Sequence, residues 1–357
     1  MTRPGGGDRE EPVTTGGSIA VVNLHARVDG LTARVPRAVP QAPADTLALI
    51  DLLILRGHVL GRIADYERAA ELAGQLVRGT PDDGPALLAR ARTRAVFHRF
   101  VEALADLQAA EDRGLDRALL AADRAEFLQA TGSRAEAGEL HRAAARHRPG
   151  FATLGALAVF HAERGEIAEA ERLFAAARHR YQGSSPFPIA SLDYRRGLMW
   201  HAEDNLPAAR TWFDASLRRV PAYAPALGHR AEIDTETGDH QAAIDRLRPL
   251  ASASDDPGYA ATLARALAAA GDHREAGQWH RRAAARYDEL AGRHPQAFAE
   301  HAADFRQRGQ SPARRSGATE TKPPPGVASA IRRNYGDESR PARERLTGRV
   351  WRAQVLG

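Results

Sequence analysis

A chain of 357 residues that is 43% apolar and 27% charged can bury a substantial core, and is too apolar to be disordered throughout. It has no cysteine, which excludes disulfides, thiolate metal sites and cysteine nucleophiles together. The formal net charge is +5, but its distribution along the chain decides what that means.

The chain opens MTRPGGGDREEPVTTGG, acidic and Gly-rich where a secretory signal would have a basic start and an apolar run. Residues 1–45 are therefore expected to be a flexible arm, and the location cytoplasmic. The most apolar stretch, TLALIDLLILRGHVLG (46–61), carries Asp51 and Arg56. It falls short of the ~18 uninterrupted apolar residues that argue for a membrane span, so no integral membrane segment is expected. Lys322 is the one lysine beside many arginines. The simplest source of that bias is a GC-rich bacterial genome of actinobacterial kind.

From residue 46 onward a unit repeats: a turn, three variable positions, an alanine, then an amphipathic run. The alanine falls at Ala69, Ala103, Ala137, Ala170, Ala209, Ala243 and Ala276, at intervals of 34, 34, 33, 39, 34 and 33. Apolar or small residues four and seven places later, such as Phe174 and Ala177, share its helix face. Gly132, Gly165, Gly238 and Gly271 sit where a preceding helix must end, and glycine takes the left-handed conformation there at no steric cost. Pro81, Pro149 and Pro221 stop the second helix of their units. Each unit is thus a helix, a tight turn and a second helix. The 39-residue interval contains YQGSSPFP (181–188), whose surplus residues predict a longer loop or an extended helix.

The repeat raises one chemical question. GDHQAA (238–243) and GDHREA (271–276) place His240 and His273 beside Asp239 and Asp272, as an acid/base pair or metal ligands would be. The register gives another reading: the aspartates cap the second helix, and the histidines hold the packing position that Tyr66 and Phe100 occupy in other units.

These features resemble the tetratricopeptide repeat, whose period is about 34 residues. In the unit beginning at Ile50, Gly57, Leu60, Tyr66, Ala69 and Pro81 match that family's small, large, aromatic, small and stop positions. Gly197, Trp200, Ala209, Phe213 and Pro221 do so in the fifth unit. The resemblance covers roughly 46–305 and implies an all-α, right-handed helical-hairpin solenoid, a TPR-like superhelix of about seven repeats. PQAFAEHAADFRQRG (295–309) reads as a C-terminal cap helix closing the array of residues 46–309. Residues 310–357 read as a disordered basic tail: 306–357 carry a net +8, leaving −3 for the rest.

No P-loop, G-x-G-x-x-G, H-E-x-x-H or G-x-S-x-G is present, so an enzyme is not expected, nor any cofactor or metal. Glu300, His301 and Asp304 lie within about one turn, but read as a solvated helix face. The resemblance implies a protein- or peptide-binding scaffold or adaptor that uses its concave surface. The family's lysine and asparagine clamp for a terminal carboxylate is missing, because Asn205 is the one asparagine of the array and the array has no lysine. The register instead places Tyr194, Arg195, Leu198, His201, His229, Glu232 and Arg265 on the groove of units five to seven, facing a partner with acidic residues. Units one to four offer plainer positions, among them His58, Arg92, Glu126, Gly155 and Val159. The alternative is a nucleic-acid or acidic-membrane-surface binder working through the tail, with a hydrolase or metalloenzyme a distant third.

Overall fold

The computed structural model describes residues 12–35 and 43–309, and all regular structure among them is helical. A single helix, α1 (Gly17–Arg34), precedes seven helical hairpins. They are α2 (Pro43–Leu60) with α3 (Ile63–Gly79), α4 (Gly84–Val96) with α5 (Phe100–Asp112), and α6 (Arg117–Ala130) with α7 (Arg134–His147). Next come α8 (Phe151–Glu163) with α9 (Ile167–His179) and α10 (Pro186–Ala202) with α11 (Leu206–Arg219). The last are α12 (Ala224–Glu236) with α13 (His240–Ala253) and α14 (Pro257–Ala269) with α15 (His273–Arg293). The cap helix α16 (Pro295–Gly309) follows, with the expected bounds.

Local rules explain each hairpin. The seven register alanines are all buried, six of them at 0% exposure and Ala276 at 7%. A methyl group at that point lets the two helices of a hairpin approach, and a larger side chain would hold them apart. Each unit turns through one left-handed residue: Gly61, His98, Gly132, Gly165, Asp204, Gly238 and Gly271. Two of the seven are not glycine, with φ of 58° at both His98 and Asp204, and they hold a conformation unfavourable for L-residues. Asp239 and Asp272 cap α13 and α15, accepting from Ala242 N at 3.3 Å and Glu275 N at 2.9 Å. The aspartates of the paired histidine motif thus serve the helix ends. His240 is half-buried, whereas His273 is exposed and does not take the packing role expected of it. The lengthened unit has both a loop over 181–185 and a first helix, α10, of 17 residues against 13 in α8 and α12.

Two features add to the expected solenoid. The first is α1, which falls within the stretch expected to be a flexible arm. Gly17, Ala20, Leu24, Val28 and Leu31 recur at helical spacing, and the core takes them in together with Phe187, Ala190, Tyr194 and Tyr223. The segment is short and locally glycine-rich, so its apolar stripe is masked by its neighbours. Residues 1–11, 36–42 and the tail expected over 310–357 lie outside the described residues.

The second feature is closure of the array on itself. First helices of successive units line the inner face, and there α2 meets α12. His58 Nε2 lies 2.5 Å from the Tyr223 hydroxyl. Asp255, in the loop before α14, accepts from Ile63 N at 2.6 Å and Ala64 N at 2.9 Å, and so caps α3 from across the seam. The Ser254 hydroxyl donates to Gly61 O. Beyond it, Glu67 pairs with Arg293 at 2.8 Å and His294 at 3.0 Å, and the His294 ring stacks on Phe97 with centroids 3.8 Å apart. Leu290, Ile63 and Phe97 form the apolar floor of this seam.

Candidate recognition surface

The candidate site is built from the inner faces of α10, α12 and α14. On α10 the positions 194, 198 and 201 fall on one face, and on α12 the positions 229 and 232 do the same. The packing of adjacent units then sets those faces side by side.

The structure brings together His201, His229, Glu232 and Arg265. His229 Nδ1 stands 2.9 Å from Glu232 Oε2, and Arg265 Nη2 donates to Glu232 Oε1 at 3.0 Å. The His201 and His229 rings lie 5.8 Å apart. Burial pushes the Glu232 carboxyl upward, but His229 and then Arg265 outweigh it and hold the group far below the usual carboxylate range. The neighbouring Glu236 carboxyl is pushed the other way, by burial first and then by the charge of Glu232. Arg265 is the most open member, with a side chain 54% exposed, and its bonds to Glu232 and to Thr262 Oγ1 both leave from Nη2.

Tyr194 is a correction. Expected as an exposed anchor, it is 1% exposed, with its ring 5.8 Å from Phe213, 5.7 Å from Tyr223 and 5.8 Å from His229. It supports the histidine from beneath, because α1 and α2 cover the part of the groove it was expected to line. Leu198 is half-buried against the same core, and Arg195 sits in the field of Glu163 on the neighbouring inner helix α8.

In units one to four the positions expected to be open are largely spoken for. His58 is buried against Tyr223, and Val159 is buried in the core. Arg92 bridges Asp123 at 3.1 Å and Asp51 at 3.6 Å.

One group of residues went unnoticed at the level of sequence. Gln129 on α6 donates from Nε2 to Glu163 Oε2 at 2.6 Å, and its Oε1 lies 3.1 Å from His141 Nε2. Burial raises the Glu163 carboxyl to about 7, against the opposing pull of Gln129, Arg134 and Arg195. The only hint in the sequence was periodic: Gln129 and Glu163 end the first helices of adjacent units, 34 residues apart. With Arg195, His201, His229, Glu232 and Arg265 they form a polar rail across five successive inner helices.

Among the described residues no group of three His, Asp or Glu side chains is arranged to hold a metal ion, and Glu300, His301 and Asp304 form no such group. No helix among them is long and apolar enough to cross a membrane.

No family model matches the chain, and no curated protein matches its sequence. Several solved structures are similar to it. The Cut9–Hcn1 hetero-tetramer of the APC/C is 18% identical over 70% of this chain, with a TM-score of 0.46. This chain spans 47% of that one, about half its length. A tetratricopeptide repeat protein from Parabacteroides merdae is 14% identical, with 72% of this chain and 96% of that chain covered and a TM-score of 0.41. Yeast Tom70 is 13% identical, with 83% and 74% covered and a TM-score of 0.47.

Proposed function

We propose that the protein is a non-enzymatic scaffold that binds a protein or peptide through the polar rail on its inner face. The observation that carries this reading is the Glu232 cluster. Two histidines, a carboxylate and an arginine from three separate helices meet at a half-exposed point of the concave surface. Arg265 can present the free part of its guanidinium to a partner carboxylate, and such planar pairing is what arginine does better than lysine. An acidic peptide segment fits that arrangement, with Glu232 holding Arg265 in place and His229 held by Phe213 and Tyr194 behind it.

The test isolates the partner from the native host by pull-down on the full chain, then titrates it against three variants. Arg265→Ala and His229→Ala should each weaken binding by about 2 kcal/mol, roughly 30-fold, while circular dichroism stays unchanged. Arg172→Ala, on an outer helix, should bind like the parent. Arg92→Ala is not a suitable control, because it would strand the buried Asp123 carboxylate. Equal affinity of all three variants would remove the rail from consideration.

A further inference from the structure

Helix α1 does not belong to the repeat. Among the described residues it has no hairpin partner, whereas all seven hairpins are complete without it. It is held along one stripe, Gly17, Ala20, Leu24, Val28 and Leu31, and its opposite side leaves Ile19 61% and Val22 65% exposed. The stripe lies on inner helices α2 and α10, the surface by which a solenoid of this kind meets a ligand. Around it the contacts are those of a docked peptide. Thr15 N donates to Ser184 O at 2.8 Å and Arg219 Nη1 donates to Pro12 O at 2.7 Å. Gly17 is packed so tightly on the backbone of Arg219 and Val220 that a Cβ there would overlap it. The exposed Asp29 lies 3.8 Å from Arg56. The extra residues of the lengthened fifth unit form the very loop, 181–185, on which the segment before α1 rests.

The array does not need α1 to stay shut. The seam is made by His58 with Tyr223, by Asp255 with the start of α3, and by Glu67 with Arg293 and His294, all of which lie outside α1. Removing the helix therefore uncovers a preformed apolar trough instead of opening the molecule.

We propose that α1 is a displaceable resident of the inner face. Its place is taken by an amphipathic helix of a partner protein that repeats the stripe Gly-x-x-Ala-x-x-x-Leu-x-x-x-Val-x-x-Leu, with an acidic residue one position after the valine to meet Arg56. Helix-in-groove recognition reads just such anchors at i, i+3, i+4 and i+7. The proposal rests on the inner face being the recognition surface and names the apolar half of what that surface accepts. The tether to α2 makes α1 a strong intramolecular competitor, so the free protein holds its trough covered and a partner must outcompete it.

The test uses the full chain carrying Leu24→Glu and Val28→Glu together, with a fluorescent synthetic peptide of residues 12–35 as probe. The peptide should bind this variant at least 100-fold more tightly than it binds the parent, and a peptide carrying the same two glutamates should bind neither. Equal binding to variant and parent would overturn the proposal, as would loss of the cooperative helical melt in the variant. A dimer by light scattering without peptide binding would overturn it in favour of exchange of α1 between copies. Hydrogen exchange on the unmodified chain gives an independent reading, since α1 amides should open at least tenfold more often than those of α10. Exchange of α1 only on global unfolding would show it to be integral core. Peptide capture alongside unchanged partner affinity in Arg265→Ala would discard the polar rail alone. The reverse pair of results would discard the displaceable helix alone.

Discussion

Asp255 and Asp256 are neighbours in sequence with separate tasks, and replacing each by alanine tests whether the array is closed. Asp256 caps its own helix, accepting from Gly258 N at 2.8 Å. Asp255 accepts from Ile63 N and Ala64 N, some 190 residues away, and from Arg286 Nη2 at 3.0 Å. Loss of a helix cap costs about 1 kcal/mol, and loss of a carboxylate at a helix N-terminus adds ~0.3–1 kcal/mol. The Arg286 contribution is small, because that side chain keeps Glu289 at 2.7 Å and the pair is partly exposed to solvent. Asp255→Ala should therefore weaken the seam by about 2 kcal/mol, a factor of roughly 30 in the opening constant of α3. Asp256→Ala should lose about 1 kcal/mol, confined to α14. Hydrogen exchange followed by mass spectrometry separates the two, since α3 and α14 yield different peptides. An Asp255→Ala protein whose α3 amides exchange at the parent rate would refute the closed arrangement, and so would equal effects of both substitutions on α3.

Three further outcomes follow from the same structure. With Glu163 raised from 4.5 to about 7, the folded chain keeps a proton in that window that the unfolded chain releases. The contribution of Glu163 to stability therefore falls as pH rises from 4.5 to 7 and is not regained above it. Glu163→Gln should abolish that decline and gain up to ~3 kcal/mol at pH 8 while changing little at pH 4, as read by urea denaturation at both values. Asp204→Gly and His98→Gly should each raise stability by about 0.5–1 kcal/mol by relieving left-handed strain, and thermal melts lower than the parent's would contradict this. Tyr194→Ala should cost about 3–5 kcal/mol of folding stability. An unchanged urea midpoint for that variant would mean the ring is not buried.

The hairpins were legible because each rests on a local rule. An alanine at a close crossing, a left-handed turn residue and a stop proline all act within one unit, and seven copies in register reinforce one another. The bounds of α16 and the placement of the surplus residues near 181–188 follow from the same arithmetic. The closure was not legible, because nothing in a 34-residue unit records how far successive units rotate. Tyr194 shows the consequence. Its register position correctly put it on the inner face, yet whether an inner-face residue is open depends on what crosses the groove. Here that is α1, whose stripe has only five small or aliphatic residues and no repeat to reveal it. Glu232 and Arg265 do meet, because their helices α12 and α14 are adjacent and the register alone predicts that proximity.

The arginine content has a similar history. Read as composition it points to codon usage, but the same repeat position holds Arg56, Arg90, Arg124, Arg196 and Arg230, with Leu157 and Leu263 in the other two units. Arg56 and Arg90 fork onto carboxylates of their own second helices, Asp65 at 2.7 and 2.8 Å and Asp106 at 2.6 and 3.0 Å. Arg124, Arg196 and Arg230 reach back to the second helix of the preceding unit, at Glu111, Glu171 and Asp214. A buried guanidinium, such as that of Arg230 at 1% exposure, is tolerated only when its donors are matched by oxygen acceptors in the same plane. Lysine, a single strongly hydrated charge, cannot match two acceptors in this way. The recurring carboxylate opposite these arginines makes a ladder that ties five of the seven inner helices to the second helices beside them. Such a ladder holds these inner helices in place, and with them the position of the rail proposed for recognition.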